Sequence, residues 1–317
     1  MNVAKLLRET KTTLFSFELL PPLKGDNIQA ICNTIDPLMA FNPSYINVTY
    51  HREEVIYKQR SDGLLEKRTI RKRPGTVGIT AAIMHKYGIE VVPHLICAGF
   101  SCEETENALI DLHFLGIHNL LILRGDPDKN SHLFVPEPDG HEHSIGLLQQ
   151  VMNMNKGKYL DDTIVNNAAT EFSVGVAGYP EKHPEAPNMD SDLRYLKNKI
   201  DAGAEYIVTQ MFFDNNYYFD FVKRCRQAGI NVPIVPGLKP VSITNHINII
   251  PKTFSIEIPQ ALSKEVERCK NNMEVRQVGI DWAIEQAKEL KAHHVPSIHF
   301  YTMGKSDNIM EIVKKVY

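Results

Sequence analysis

Four times in this chain a helix-like segment stops at glycine and a short apolar run begins. The stretches are YGIEVVPHL (87–95), LGIHNLLIL (115–123), AGAEYIVTQ (202–210) and AGINVPIVP (228–236). Glycine just past a helix end takes the left-handed conformation that other residues resist, so each marks a helix terminus. The runs that follow are rich in Val, Ile and Leu, as strands buried on both faces are. Four more runs have the same character, and the set reads LFSFELL (14–20), YINVTY (45–50), VVPHLIC (91–97), NLLILRG (119–125), FSVGVAGY (172–179), YIVTQMFF (206–213), PIVPGL (233–238) and SIHFYTM (297–303). Helical sequence follows each, and no antiparallel hairpin signal stands out. Eight such units predict an α/β fold, a (β/α)8 TIM-type barrel. An open doubly wound sheet is the rival, but it would usually begin with a Gly-rich turn, and GxGxxG is absent.

The helical stretches have the matching period. Ile28, Ile31, Ile35 and Leu38 recur at threes and fours, as do Leu193, Leu196 and Ile200. Ser101 with Glu104 reads as a capping box, and Asp214 as the cap of the helix carrying Tyr218, Phe221 and Val222. With 317 residues, no Gly/Ser linker and no low-complexity tract, residues 1–317 read as a single barrel domain. A net charge of -3 argues against a general nucleic-acid binder. The five cysteines are scattered without a CxxC pair, which fits reduced thiols. No signal peptide and no membrane span is evident, so a cytoplasmic protein is expected. HEH at 141–143 lacks the spacing of a zinc helix, and no metal is expected. The basic run EKRTIRKRP (66–74) reads as a solvated loop, with an electrostatic clamp for an anionic ligand as the sharper alternative.

In a barrel the active site forms where the strands end. Glu18, Thr49 and Tyr50, His94, Arg124 with Gly125 and Asp126, Tyr179, and Gln210 all fall at such ends. Each has a structural explanation when taken singly: Glu18 could pair with Arg124, and His94 could be a satisfied core histidine. Their convergence favours a site. Glu18 lies among Phe15, Phe17, Leu19 and Leu20, with Pro21 and Pro22 stiffening the exit. Desolvation there should raise its pKa and suit it to general-acid work, while Asp126 reads as a fixed negative charge. The loop GYPEKHPEAP (178–187) is stiffened by three prolines yet carries Tyr179, Glu181, His183 and Glu185, as a loop that must hold polar groups in place would be.

FSFELLPP, VTYH, PHLIC, LRGDP, GYPEKHPEAP, DAGAEYIVTQMFFD, PGLKP and HFYTM occur in the order seen in methylenetetrahydrofolate reductases, and the resemblance runs from about residue 14 to residue 305. It is to the bacterial single-domain form, without the regulatory domain of the eukaryotic enzymes. It implies an FAD-containing barrel that reduces 5,10-methylenetetrahydrofolate to 5-methyltetrahydrofolate in a ping-pong cycle, with NADH or NADPH as electron donor. By position, Glu18 matches the family's general acid, Asp126 the acid beside the flavin, and Gln210 the folate-contacting glutamine. Thr49, Tyr50, His94, Arg124, Gly125, Tyr179, His183, Ala186, Asp192 and Lys199 match flavin-contacting positions. On this resemblance the proline-stiffened loop is a cofactor cradle, and a homo-oligomer is expected, as relatives often form one.

Departures from the family pattern are also visible. His143-Ser144 replaces a Tyr-Ala pair whose tyrosine touches the flavin. His246 and Lys305 stand where some relatives use a Gln and an Arg against nicotinamide or folate. The basic run at 66–74 is absent from some shorter relatives and could meet a folate's glutamate tail. Two other readings stay open on the residues alone. One is a flavin-free lyase or aldolase with Lys239 as its strand-end lysine, although no Gly-rich phosphate loop follows it. The other is a non-catalytic binder, which the paired acids Glu18 and Asp126 disfavour.

Overall fold

The computed structural model describes residues 1–127, 133–164 and 167–317. In chain order its strands are β1 (Leu14–Leu19), β2 (Tyr45–Val48), β3 (Glu54–Gln59), β4 (Leu65–Ile70), β5 (Glu90–Ile96), β6 (Asn119–Leu123), β7 (Ser173–Gly178), β8 (Tyr206–Thr209), β9 (Ile234–Val235), β10 (Gly237–Leu238) and β11 (Ser297–Tyr301). The helices are α1 (Val3–Glu9), α2 (Ile28–Met39), α3 (Thr76–Tyr87), α4 (Cys102–Phe114), α5 (Ser144–Met154), α6 (Met189–Asp201), α7 (Asn215–Gln227), α8 (His246–Phe254), α9 (Gln260–Arg268), α10 (Asn272–Ala292) and α11 (Asp307–Val316).

Nine parallel segments run in the order β10-β11-β1-β2-β5-β6-β7-β8-β9. The two ends of that series are one stretch of chain. β9 pairs with β8 and β10 with β11, and Pro236 between them gives its carbonyl to the His299 amide at 2.9 Å. Proline supplies no N–H to a ladder, so the seventh barrel position is split in two rather than missing. The eight-position TIM-type barrel read from the sequence is the fold.

All four glycine stops end helices as read: Gly88, Gly116, Gly203 and Gly229 have φ of 61°, 72°, 120° and 75°. Ser101 and Glu104 form the reciprocal capping box, and the Asp214 side chain accepts from the Asn216 amide. Strand residues alternate between two environments, as the pleat requires. Phe15, Phe17, Leu19, Ile46, Val48, Leu120, Ile122, Val174 and Val176 pack outward in the layer between strands and helices. Tyr45, Val92, Leu121, Tyr206, Val208 and Val235 fill the lower barrel interior.

Two elements depart from the sequence reading. The hairpin β3–β4 interrupts the βα alternation after β2, so the expectation of no hairpin is corrected. Its turn is Ser61-Asp62-Gly63, where Gly63 takes φ 81° and Asp62 accepts from the Leu64 amide. Asp-Gly between two strand-forming runs is a hairpin signal, masked here by charged residues on both strands. The basic run at 66–74 therefore lies partly in β4 rather than in a loop. The second departure is α1, whose Val3, Ala4 and Leu7 join the lower interior cluster and close the bottom of the barrel. The Val3 amide donates to Asn119 Oδ1 at 2.8 Å, and Asn119 Nδ2 donates to the Met1 carbonyl at 2.8 Å.

Candidate active site

The inward positions at the strand C-termini are polar where the lower interior is apolar. Glu18 stands opposite Asn47 on one side and Tyr301 on the other. Its side chain is 13 % exposed, and the Thr302 hydroxyl donates to its backbone carbonyl at 2.6 Å. Burial pushes the Glu18 carboxyl up to about 8, against an opposing pull from the nearby Lys239 ammonium. His94 Nε2 lies 3.7 Å from Glu18 Oε2 and 3.3 Å from Asn47 Nδ2. Burial pushes His94 down to about 3, so near neutral pH an uncharged imidazole faces a protonated acid. That contact is not an ion pair. The pairing of Glu18 with Arg124 considered from the sequence does not form, because Arg124 is held by Glu185 through two contacts of 2.6 and 2.5 Å.

The rest of the mouth is continuous with Glu18. Tyr301 lies within range of both Glu18 and Tyr179, and its hydroxyl donates to the Thr209 carbonyl at 2.6 Å. Gly237 makes room for this ring, since a Cβ there would sit 2.6 Å from Tyr301 and 2.4 Å from the Thr209 carbonyl. Tyr179 in turn feels Asp192, Arg124, Asp126 and Glu185. Gly125, at φ 87°, turns the chain where a Cβ would meet Ala98 at 2.9 Å, and this turn delivers exposed Asp126 to the rim. Gln210 is tied to β7 by its amide, which donates to the Gly178 carbonyl at 2.8 Å. Its Oε1 accepts from the Met211 amide, which leaves the side-chain NH2 as a donor.

The loop after β7 is internally fastened. Lys182 adopts φ 83°, and its ammonium donates to the carbonyls of His183 (2.8 Å), Pro184 (3.4 Å) and Ala186 (2.6 Å). The His183 amide donates to Asp192 at 2.8 Å, and its ring meets Tyr179 edge-on at 4.6 Å. Ala186 is buried beneath. Glu181 accepts from the Glu257 amide at 2.6 Å, and burial raises its carboxyl to about 7. Lys199, on α6, reaches the Ala177 carbonyl at 3.3 Å, and burial lowers its amine to about 8 while Asp192 opposes that shift. Lys199 and His183 thus set cationic or N–H donors along one side of the mouth, a set suited to phosphate oxygens, while the Arg124 NH groups beside them are engaged by Glu185.

Lys239, on the opposite side, sits within charge range of both Glu18 and His246. His246 opens α8 and accepts from the Ser242 amide at 3.1 Å. Thr49 is tied to the Leu19 carbonyl beside Glu18. Three residues named from the sequence sit at the margin of this cluster. Tyr50 packs on Phe100 at 4.9 Å and lines a 340 Å³ cavity with Arg71 and the start of α3. His143 is exposed at the N-cap of α5, within charge range of Glu185. Lys305 is exposed beyond Thr302.

A family model described as methylenetetrahydrofolate reductase matches residues 3–317. This chain belongs to the methylenetetrahydrofolate reductase family. It is 32 % identical to Methylenetetrahydrofolate reductase (NADH) 1 of Arabidopsis thaliana over 98 % of this chain and 49 % of that protein, so it spans about half the length of the plant relative. It is 31 % identical to the 5,10-methylenetetrahydrofolate reductase of Salmonella typhimurium, covering 92 % of this chain and 86 % of that one. Among solved structures, a Clostridium thermocellum protein that binds two copies of 5-methyl-5,6,7,8-tetrahydrofolic acid superposes with a TM-score of 0.60 at 15 % identity, covering 100 % and 98 % of the two chains. That likeness shows the shared fold.

In this member of the methylenetetrahydrofolate reductase family, the sequence reading of the site missed Tyr301 and Lys182 and named Lys239 only for rival chemistry. Tyr301 was within reach of period-2 reasoning, since it points the same way as His299 in SIHFYTM. The three carbonyls that Lys182 gathers depend on the loop's path, which no local pattern records. Three of the five cations in the basic run pair with carboxylates of its own hairpin and base. Arg68 pairs with Glu66 at 2.9 Å, Arg71 with Glu53 at 3.4 Å and Lys72 with Glu54 at 2.6 Å, while Arg73 donates to the Pro21 carbonyl. This weakens the clamp reading. No group of three or more metal-ligating side chains occurs among the described residues, and none of their helices is long and apolar enough to cross a membrane.

Proposed function

We propose that this barrel reduces 5,10-methylenetetrahydrofolate to 5-methyltetrahydrofolate with NADH or NADPH, using bound FAD. The observation that carries the reading is Glu18. It is a carboxyl kept protonated near neutral pH at the floor of a mouth whose two sides differ in chemistry. On the β5–β7 side, His183 and Lys199 offer donors for a diphosphate, joined by Arg124 where it leaves Glu185, Gly125 turns the chain at φ 87°, and Tyr179 gives apolar surface over buried Ala186. These residues fit FAD, with Thr49, His94 and Asp192 completing the set. Tyr50, also a family-matched position, lines a cavity with Arg71 and the start of α3. Bound at the mouth, FAD would accept a hydride from the nicotinamide and deliver it to the one-carbon unit.

The chain's own residues supply the proton chemistry and the electrostatics. Glu18 donates a proton to the folate amine whose C–N bond breaks, opening the five-membered ring to a cationic iminium. Asp126 places negative charge near that cation. Gln210 uses its side-chain NH2 to hold a carbonyl or ring nitrogen of the pterin. The neutral imidazole of His94 lets Glu18 keep its proton, where an imidazolium would draw it off. Lys239 and His246 face the incoming substrate from the opposite side.

A visible spectrum of purified protein tests this. A yellow protein is expected, bleached anaerobically by NADH or NADPH and recoloured by 5,10-methylenetetrahydrofolate. A protein that binds no flavin, or one whose bleached form the folate leaves unchanged, contradicts the proposal.

A further inference from the structure

Away from the mouth, α2 and α3 meet through an unusual pair. Lys86 Nζ, at the end of α3, lies 2.7 Å from the sulfur of Cys32 on α2. Other sulfur contacts among the described residues run longer: 3.3 Å for Cys269, 3.7 Å for Cys97, 3.5 Å for Cys102 and 4.0 Å for Met152. Sulfur is larger than oxygen, yet this contact falls at the short end of the range for N–H···O bonds. It is also much too long for a direct N–S bond. It matches one light atom spanning the gap, since an N–O bond of roughly 1.4 Å and an S–O bond of roughly 1.7 Å meeting at an ordinary angle put the ends about 2.6 Å apart.

The surroundings hold the two groups in register. The Tyr87 hydroxyl donates to Asp36 Oδ1 at 2.6 Å, one turn along α2 from Cys32, and Lys86 sits 5.3 Å from the centre of the Tyr87 ring. Cys32 itself is buried while Lys86 is exposed, so the sulfur lies just beneath the surface. The Lys86 and Tyr87 side chains draw the Cys32 thiol below its ordinary range, whereas burial raises Cys97, Cys102, Cys225 and Cys269. The thiolate is the form that peroxide attacks.

We propose that Cys32 and Lys86 are a redox modification site that forms an oxygen-bridged covalent link, Sγ–O–Nζ, between α2 and α3. The oxidant is a peroxide, two equivalents per link. One converts the Cys32 thiol to a sulfenic acid and releases water. The acid no longer holds the neighbouring ammonium charged, so the lysine loses a proton, and a second peroxide converts the amine to a hydroxylamine with loss of water. The hydroxylamine oxygen then attacks the sulfenic sulfur, the S–O and N–O bonds remain, and a third water leaves. Sulfur and nitrogen each give up two electrons, and the four are taken by two O–O bonds. Two equivalents of a dithiol reverse the sequence, regenerating thiol, amine and water.

Purified full-length protein treated with hydrogen peroxide, then digested without reductant, tests the link by mass spectrometry. The expected product joins the peptides carrying residues 32 and 86, with a gain of about 14 Da for one oxygen in and two hydrogens out. Dithiothreitol should separate them, and Lys86→Arg, which keeps a cation beside the sulfur, should leave them unlinked. Oxidised wild type should melt higher than reduced wild type, a difference absent in Lys86→Arg. Finding Cys32 unmodified, or carrying only the about 16 Da of a sulfenic acid with the two peptides separate, overturns the proposal. So does a linked product that persists in Lys86→Arg.

Discussion

Burial costs Glu18 its charge, and the consequences for rate and for stability have opposite signs. The carboxyl is raised from its ordinary range to about 8, so the proton-donating form persists through neutral pH and is lost as pH rises through about 8. The folate half-reaction should fade over that interval. Glu18→Gln should slow it by about 10²–10⁴-fold while flavin content stays normal, as single-turnover reoxidation would show. An undiminished rate would remove Glu18 from the mechanism. For stability, the folded carboxyl holds its proton where the unfolded one has lost it, so the wild type loses stability from about pH 4.5 up to about 8 and is level above. The Tm of Glu18→Gln relative to wild type should therefore climb across that window and then stop climbing. Lys239 pulls the carboxyl the other way. Lys239→Met should move the alkaline limb of the folate half-reaction to higher pH, and Lys239→Arg should leave it near the wild-type position. A limb that does not move in Lys239→Met would mean the two charges do not communicate.

At the scale of elements, what the sequence disclosed was local and what it withheld was not. Glycine stops, the Ser101 capping box and the Asp214 cap each involve residues within one turn of one another, and all are present in the structure. The same locality made the rim readable, because strand ends and barrel geometry together place Glu18, His94, Tyr179 and Gln210 without knowledge of any distance. The partner of Arg124 was not readable. Glu185 is 61 residues away, and nothing in either neighbourhood favours it over Glu18. Tyr50 follows a strand end and packs on Phe100, a partner fifty residues on that no pattern around either residue records. The loop at 179–187 combines both cases: its prolines announce stiffness, but the fastening comes from Lys182 reaching three carbonyls at a positive φ. Two substitutions separate these contributions. Lys182→Met removes the clamp and should weaken FAD binding about tenfold, the loss of roughly one charged hydrogen-bonding group. Lys182→Gly relieves the backbone but also lacks the ammonium, so it should bind FAD no better than Lys182→Met. Flavin titration of apoprotein measures both, and wild-type affinity in Lys182→Gly would shift the credit from the clamp to the backbone.

The whole molecule closes in two different ways at its two ends. At the mouth the interior is left polar, while at the bottom α1 inserts Val3, Ala4 and Leu7 among Tyr45, Val92, Leu121, Tyr206, Val208 and Val235. A seven-residue helix cannot hold its own shape in water, so α1 exists because the barrel floor accepts it. The Asn2 cap and the Val3, Leu6, Leu7 spacing are local helix signals, but they cover only seven residues, and the partners that hold the segment lie on strands far along the chain. The division of labour between the ends makes a clear expectation. Leu7 is 3 % exposed, and Leu7→Ala should cost about 2–5 kcal/mol through lost contacts and the cavity left behind. For a domain of this size that corresponds to a Tm lower by roughly 3–8 °C. The plug reaches up to Tyr45, and above it the polar pair Ser16 and His299 stands before the mouth, with Ser16 Oγ bonded to His299 Nδ1 at 3.0 Å and the His299 ring stacked on Tyr45 at 6.5 Å. Flavin affinity and the rates of both half-reactions, measured well below the transition, should accordingly match wild type. If Leu7→Ala loses flavin in proportion to its stability, the two ends form one cooperative unit and the polar pair does not insulate the mouth.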